Sequence, residues 1–244
     1  MNNLVPCDMN RKPIILLSCE HAVNHVPAAY QDLFAKQHAL LTSHRGIDFG
    51  ALAIAQSLAQ ALNIKLICAT TSRLLIDCNR SLTHPHCFSE VTKHLPTMIK
   101  QQIIAQYYLP YRQAVEQVIQ TNVDNHHQVI HLSIHSFTPQ LHGTIREVDI
   151  GLLYDPKRAP EKNFAQQWKN SLKKQANHLR IRLNSPYQGT SDGFTTALRK
   201  KFPPELYLGI EVESNQALLR RPSSLEHLAN TLLVSLPTLR VKNL

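Results

Sequence analysis

Five side chains stand out by type and by place in this 244-residue chain. Ser18-Cys19-Glu20-His21 closes one apolar run, and Ser133-Ile134-His135-Ser136 closes another. Asp48 opens an amphipathic stretch. Glu211 and Glu213 lie two apart inside the run Gly209-Ile210-Glu211-Val212-Glu213. Two histidines and a carboxylate with one position left for water make a catalytic zinc arrangement. A further carboxylate beside them would serve as general base on that water. Each residue also has a plainer reading. Asp48 fits a helix cap, and a histidine in a chain with 14 of them is commonly a satisfied polar group. Glu211 and Glu213 fit a solvated strand face. Residues two apart on a strand share a face, however, and two carboxylates on an apolar strand are costly to bury unpaired.

A second group is cationic. Ser72-Arg73-Leu74-Leu75-Ile76-Asp77-Cys78-Asn79-Arg80 places two arginines around a polar pair. His142-Gly143-Thr144-Ile145-Arg146 and Asp192-Gly193-Phe194-Thr195-Thr196-Ala197-Leu198-Arg199 add two more. The guanidinium fork matches a carboxylate with two parallel hydrogen bonds, so these arginines could grip an acidic substrate. Taken singly, each equally fits a surface or structural salt bridge. Two other chemistries are open to the same residues. Ser133 and Ser136 flank His135 as in a serine hydrolase, but the chain has no GxSxG elbow. Cys19 shares a strand face with His21, which would suit a thiol nucleophile.

Positioning these residues requires a sheet. Apolar runs at 14–19, 64–69, 129–135, 150–154, 181–183 and 206–212 predict strands, each bounded by turn residues. Helical periodicity predicts helices over about 48–62, 97–122 (bent near Pro110), 161–176 and 216–235. Strands that alternate with helices and are apolar on both faces predict an α/β sheet covered on both sides. In such sheets the crevice lies beyond the carboxyl ends of the strands, where His21 and His135 fall. No repeat or Gly/Ser-rich linker appears and only 7 glycines are present, so residues 1–244 read as one domain.

Composition sets the remaining bounds. An apolar fraction of 43% and a charged fraction of 18% exclude disorder. No apolar run is long enough to span a bilayer, and the N-terminal residues MNNLVPCDMNRKP do not read as a signal peptide. Five cysteines (Cys7, Cys19, Cys68, Cys78, Cys87) with no CxxC spacing read as reduced thiols, hence a cytoplasmic chain. The net charge of +9 suggests an anionic partner. Nucleic acid is disfavoured, because no recognition motif is visible and aromatics make up only 6%. A small anionic substrate fits better, with no membrane partner.

Seven stretches in order carry a resemblance: SCEHAVNHVP, HRGIDFGALAIA, SRLLIDCNRS, HLSIHSFTP, REVDIGLLYDP, NSPYQGTSDGFTTALR and YLGIEVESNQ. Together they resemble the N-formylglutamate amidohydrolase family and, more distantly, zinc carboxypeptidases and zinc N-acetylmuramoyl-L-alanine amidases. The resemblance implies a three-layer α/β/α, phosphorylase/hydrolase-like fold with a mixed, mostly parallel sheet. It implies a Zn2+-dependent amidohydrolase acting on an N-acyl acidic amino acid, N-formyl-L-glutamate first, in amino-acid metabolism such as histidine degradation. A different zinc amidase or deacylase of the same fold is the alternative. Carried over by position, His21, Asp48 and His135 become the zinc ligands and Glu211 the general base, with Glu213 the alternative. Arg73, Asn79, Arg80, Arg146 and Arg199 become pocket residues. Glu20 is a departure from the better-known members. It could orient a ligand or compete with Asp48 for the metal.

Overall fold

The computed structural model describes residues 12–237. The N-terminal stretch that holds Cys7 lies almost wholly outside them. Six strands form one sheet: β1 (Ile14–Cys19), β2 (Leu66–Cys68), β3 (Val129–Phe137), β6 (Ile150–Leu153), β7 (Ile181–Leu183) and β8 (Tyr207–Asn215). Their spatial order is β2-β1-β3-β8-β6-β7. The first four strands in that order are mutually parallel. β6 pairs antiparallel with β8 and parallel with β7, so the last two run the other way. A separate hairpin joins β4 (Gln140–Leu141) and β5 (Thr144–Ile145).

The helices are α1 (His38–Leu41), α2 (Ala51–Leu62), α3 (Thr97–Ile103), α4 (Leu109–Asp124), α5 (Ala159–Gln175), α6 (Phe194–Arg199) and α7 (Pro222–Ser235). Helices α2, α5 and α7 cover one face of the sheet, packing Ile54, Leu58, Trp168 and Leu232 on Leu132, Ile134, Ile210 and Val212. Helices α4 and α6 cover the other, packing Val115, Ile119 and Phe194 around Val129 and Tyr207. The result is the expected three-layer α/β arrangement with a mixed, mostly parallel sheet.

Two expected helices are interrupted. The long one breaks at a π-type turn over Ile104–Tyr108, just before Pro110 in the first turn of α4. Proline has no N–H to bond the carbonyl four residues earlier, and the widened turn absorbs that loss. The last expected helix splits into a short 3-10 turn, Gln216–Leu219, and α7. Arg221 is extended before Pro222, as a residue preceding proline favours.

Strand alternation creates the polar face. In β3 and β8 the even-numbered residues enter the apolar core against α2, α5 and α7. The odd-numbered ones face the opposite layer. At the amino ends these are Val129 and Tyr207. Toward the carboxyl ends they become Ser133 and His135 on β3, paired across the ladder with Glu211 and Glu213 on β8. Ser18, opposite Ser133 on β1, belongs to the same face, and Glu20 follows just beyond the strand. The sheet thus carries Ser18, Ser133, His135, Glu211 and Glu213 on one surface, with Glu20 at its edge, without breaking its core.

Candidate active site

His21, Asp48 and His135 meet at the carboxyl ends of β1 and β3. All three are buried, and one potential ligand atom from each lies within 4.8 Å of the others. His21 Nδ1 is 3.2 Å and His135 Nδ1 3.0 Å from the same oxygen, Asp48 Oδ2. Asp48 reaches this point because it is not a helix cap. Gly50 takes the position before α2, at φ +78°, where a Cβ would lie 2.7 Å from the Leu219 side chain. The Asp48 main chain donates its N–H to the His21 carbonyl and accepts from the Ala51 N–H, while its carboxylate turns inward.

The outer nitrogens of both imidazoles also face carboxylates. His21 Nε2 lies 2.8 Å from Asp77 Oδ1. His135 Nε2 lies 3.1 Å from Glu20 Oε2 and 2.8 Å from Ser133 Oγ. A carboxylate on the outer nitrogen of an imidazole fixes its N–H there and aims the other lone pair at a metal. Two such lone pairs converging on one carboxylate oxygen repel it unless a cation lies between them or the rings are doubly protonated. The donor set, two imidazole nitrogens and one carboxylate oxygen, suits a borderline divalent ion such as zinc.

Charge follows the same geometry. Burial opposes ionisation of Asp48, but His21, His135 and Arg73 outweigh it and hold the carboxyl well below its usual range. Burial likewise works against Asp77 and Glu20. His21 and Arg73 keep Asp77 ionised, and hydrogen bonding and charge from His135 keep Glu20 ionised. Burial would lower His135, yet Asp48 and Glu20 raise it well above the usual histidine range. His21 is raised too: burial and Arg73 pull it down, while Asp77 and Asp48 push it up further.

Beneath the cluster runs a buried polar network. Tyr111 Oη donates to Glu20 Oε1 at 2.5 Å, Ser133 Oγ donates to Glu20 Oε2 at 2.6 Å, and Ser18 Oγ lies 2.7 Å from His131. Glu20 is thus committed to holding His135 and three hydroxyls, those of Ser18, Ser133 and Tyr111, not to replacing Asp48. Replacing Glu20 by Gln or Asp77 by Asn is expected to weaken divalent-metal affinity by roughly 10–100-fold. Competition titration with a chromophoric chelator measures this, and unchanged affinity in both variants would contradict the assignment.

A cavity of about 200 Å³ opens over the cluster. Arg73, Asn79, Arg80, Tyr187, Asp192, Glu211 and Glu213 are among its lining residues. Asn79 Oδ1 accepts the Phe194 N–H at 2.7 Å, so its NH2 is the group left to offer a ligand. Glu211 Oε1 accepts from Thr195 Oγ1 at 2.5 Å. Gly193 lies against both: a Cβ there would be 3.1 Å from Glu211 Oε1 and 3.4 Å from Asn79 Oδ1. Burial, with Asp48 and Glu211 nearby, pushes the Glu213 carboxyl up to about 7 against the pull of His135 and His21.

Three arginines differ from the expected role. Arg73 lines the cavity, but its guanidinium is engaged by Asp77 Oδ2 at 3.1 Å and Asp48 Oδ1 at 3.4 Å, so it offsets the charge of those two carboxylates. Arg146 does not line the cavity. It stands behind Tyr187, donating to its Oη at 3.0 Å with the guanidinium over the ring. Arg199 is buried elsewhere, with Nε 3.0 Å from both oxygens of Glu161 and further bonds to the carbonyls of Gly189 and Gly209. Glu161 is fully buried in α5, where the N–H groups of Asp155 and Gly209 and the Arg199 guanidinium together offset its desolvation. Arg158 Nε also comes within 3.2 Å. Arg199→Ala is therefore expected to lower unfolding free energy by about 3 kcal/mol. Urea denaturation reads this, and a loss below about 1 kcal/mol would contradict the role.

The alternative nucleophiles are accounted for. Cys19 lies on the opposite face of β1, in the apolar core with α2, and burial raises its thiol well above the usual range. Ser133 Oγ is tied to Glu20, and Ser136 Oγ donates to the Phe49 carbonyl at 2.7 Å. The described cysteines are free thiols. Among the described residues no helix is long and apolar enough to cross a membrane.

The structure is a three-layer α/β protein with histidines and carboxylates clustered at the strand ends of a mostly parallel sheet. Residues 14–220 match the family model described as N-formylglutamate amidohydrolase, and the chain belongs to that family of amidohydrolases. Two solved structures align over nearly the whole chain. The gene product Atu2144 of Agrobacterium tumefaciens is 29% identical, with a TM-score of 0.77, covering 92% of this chain and 89% of that one. N-formylglutamate amidohydrolase from Ralstonia eutropha JMP134 is 18% identical with a TM-score of 0.68, covering 95% and 94%, and so shares the fold. A search of curated proteins gave no match.

Proposed function

We propose that this amidohydrolase uses a divalent metal, zinc, held by His21, Asp48 and His135, to cleave the amide bond of a small N-acyl amino acid. The observation that carries this is the convergence of two carboxylate-braced imidazoles on Asp48, at the floor of a cavity lined by two further glutamates. Zinc there would supply Lewis acidity, acidifying water and polarising the amide carbonyl.

The chain's own groups do the rest. Glu211, steadied on one oxygen by Thr195, takes the proton of the attacking water and hands it to the departing amine nitrogen. The Asn79 NH2 is placed to donate to the oxygen on which charge develops. Arg80 lines the cavity and binds the substrate carboxylate. Asp77 and Glu20 keep the two imidazoles in their metal-binding tautomer.

The family makes N-formyl-L-glutamate the first compound to test, with N-acetyl and N-succinyl amino acids next. The expected result is metal-dependent release of the free amino acid from at least one of them, abolished by chelation and restored by zinc. A zinc-loaded protein that hydrolyses none of them would contradict the proposal.

A further inference from the structure

Glu213 has no task in the mechanism above, yet it is built into the cavity. Its Oε2 is buried and has no hydrogen-bond partner among the described residues, whereas Glu211 beside it is bonded to Thr195. A buried acceptor left without a donor costs free energy, so the missing donor must arrive with the ligand.

The cationic side of the cavity is sparser than the whole-chain charge of +9 suggests. Arg73 is engaged by Asp48 and Asp77. Arg146 and Arg199 do not line the cavity. Arg80 donates to the Asp192 carbonyl but forms no ion pair among the described residues. One free guanidinium matches one carboxylate. The charged lining is Arg73 and Arg80 against Asp48, Asp192, Glu211 and Glu213. In that set four carboxyl groups face two guanidiniums, and Arg73 is already paired, so beyond Arg80 no guanidinium is left for a second anionic group. A side-chain carboxylate placed near Glu213 would meet the buried carboxyls of Glu213 and Glu211, an unfavourable like-charge contact.

We propose that the substrate's amino-acid half carries a single carboxylate, held by Arg80, and a side chain ending in a hydrogen-bond donor, an ammonium or carboxamide NH2, held by Glu213. Glu213 is then a specificity-determining residue. This rests on the amidohydrolase reading and narrows it: within the N-formyl amino acids, glutamate is not the favoured side chain.

The test is calorimetric binding to zinc-loaded Glu211→Gln protein, which separates affinity from turnover. The probes are Nα-formyl-L-lysine, Nα-formyl-L-glutamine and Nα-formyl-L-glutamate. The first two are expected to bind at least tenfold tighter than the third, and adding Glu213→Gln should bring the three within about threefold. Tightest binding by formylglutamate, an order that survives Glu213→Gln, or no binding by any probe at millimolar concentration would overturn the proposal. If the double variant does not fold, the order in the single variant decides. Absence of turnover by wild-type protein would count against the amidohydrolase reading, while the binding order still decides this one.

Discussion

His135→Ala is expected to lose its bound divalent metal and, with it, amide hydrolysis by on the order of a thousandfold or more. His135 supplies one of three candidate ligand atoms, and its ring is clamped from both sides, by Asp48 on Nδ1 and by Glu20 and Ser133 on Nε2. Losing an outer partner of a metal ligand commonly costs 10–100-fold in affinity or activity, so losing the ligand itself should cost more. The same substitution removes the imidazole beside buried Glu20 and one of the two beside buried Asp48, which keeps His21 and Arg73. Circular dichroism must therefore accompany the metal analysis, and His21→Ala provides an independent second case. Metal retained at one equivalent per folded His135→Ala chain would contradict the ligand assignment.

Glu211→Gln is expected to reduce kcat by roughly 10²–10⁴-fold while the protein keeps its metal and its KM changes little. The amide preserves the size of the side chain and can still meet Thr195 Oγ1, so the variant removes proton acceptance and little else. Turnover within tenfold of wild type would assign the base elsewhere. Uniform loss of kcat in Glu213→Gln, with Glu211→Gln active, would move the role to Glu213. The two glutamates are successive inward residues of β8, opposite Ser133 and His135, so periodicity alone cannot rank them. What separates them is a hydrogen bond from α6, an element that the sequence pattern left unread.

The clustering of His21, Asp48 and His135 was legible in the sequence because it obeys a local rule. Histidines that end apolar strands must project at the sheet's carboxyl edge, and Asp48 precedes an amphipathic helix that has to return to the same edge. The strand positions were legible for a similar reason, since short apolar runs between turn residues leave few other options. What escaped were partnerships across long sequence distances. Asp77 braces His21 from 56 residues away, a relation that no local periodicity carries. Glu20 was open as a residue that orients a ligand, but that its partner is His135, 115 residues on, was not readable. Tyr187, in the loop after β7, lies in one of the seven stretches, but nothing local marked it as a cavity residue. Arg199 looked like a pocket residue because it follows a polar loop, but its partner is Glu161, in a helix 38 residues earlier. The charge of +9 suggested a surplus around the pocket that the lining does not have.

The most direct test of this account is elemental analysis of the purified, full-length chain before and after chelation, paired with hydrolysis of N-formyl amino acids by the same samples. The expected result is about one zinc per chain, with activity that disappears and returns with the metal. Full hydrolytic activity in metal-free protein would contradict the account at its centre.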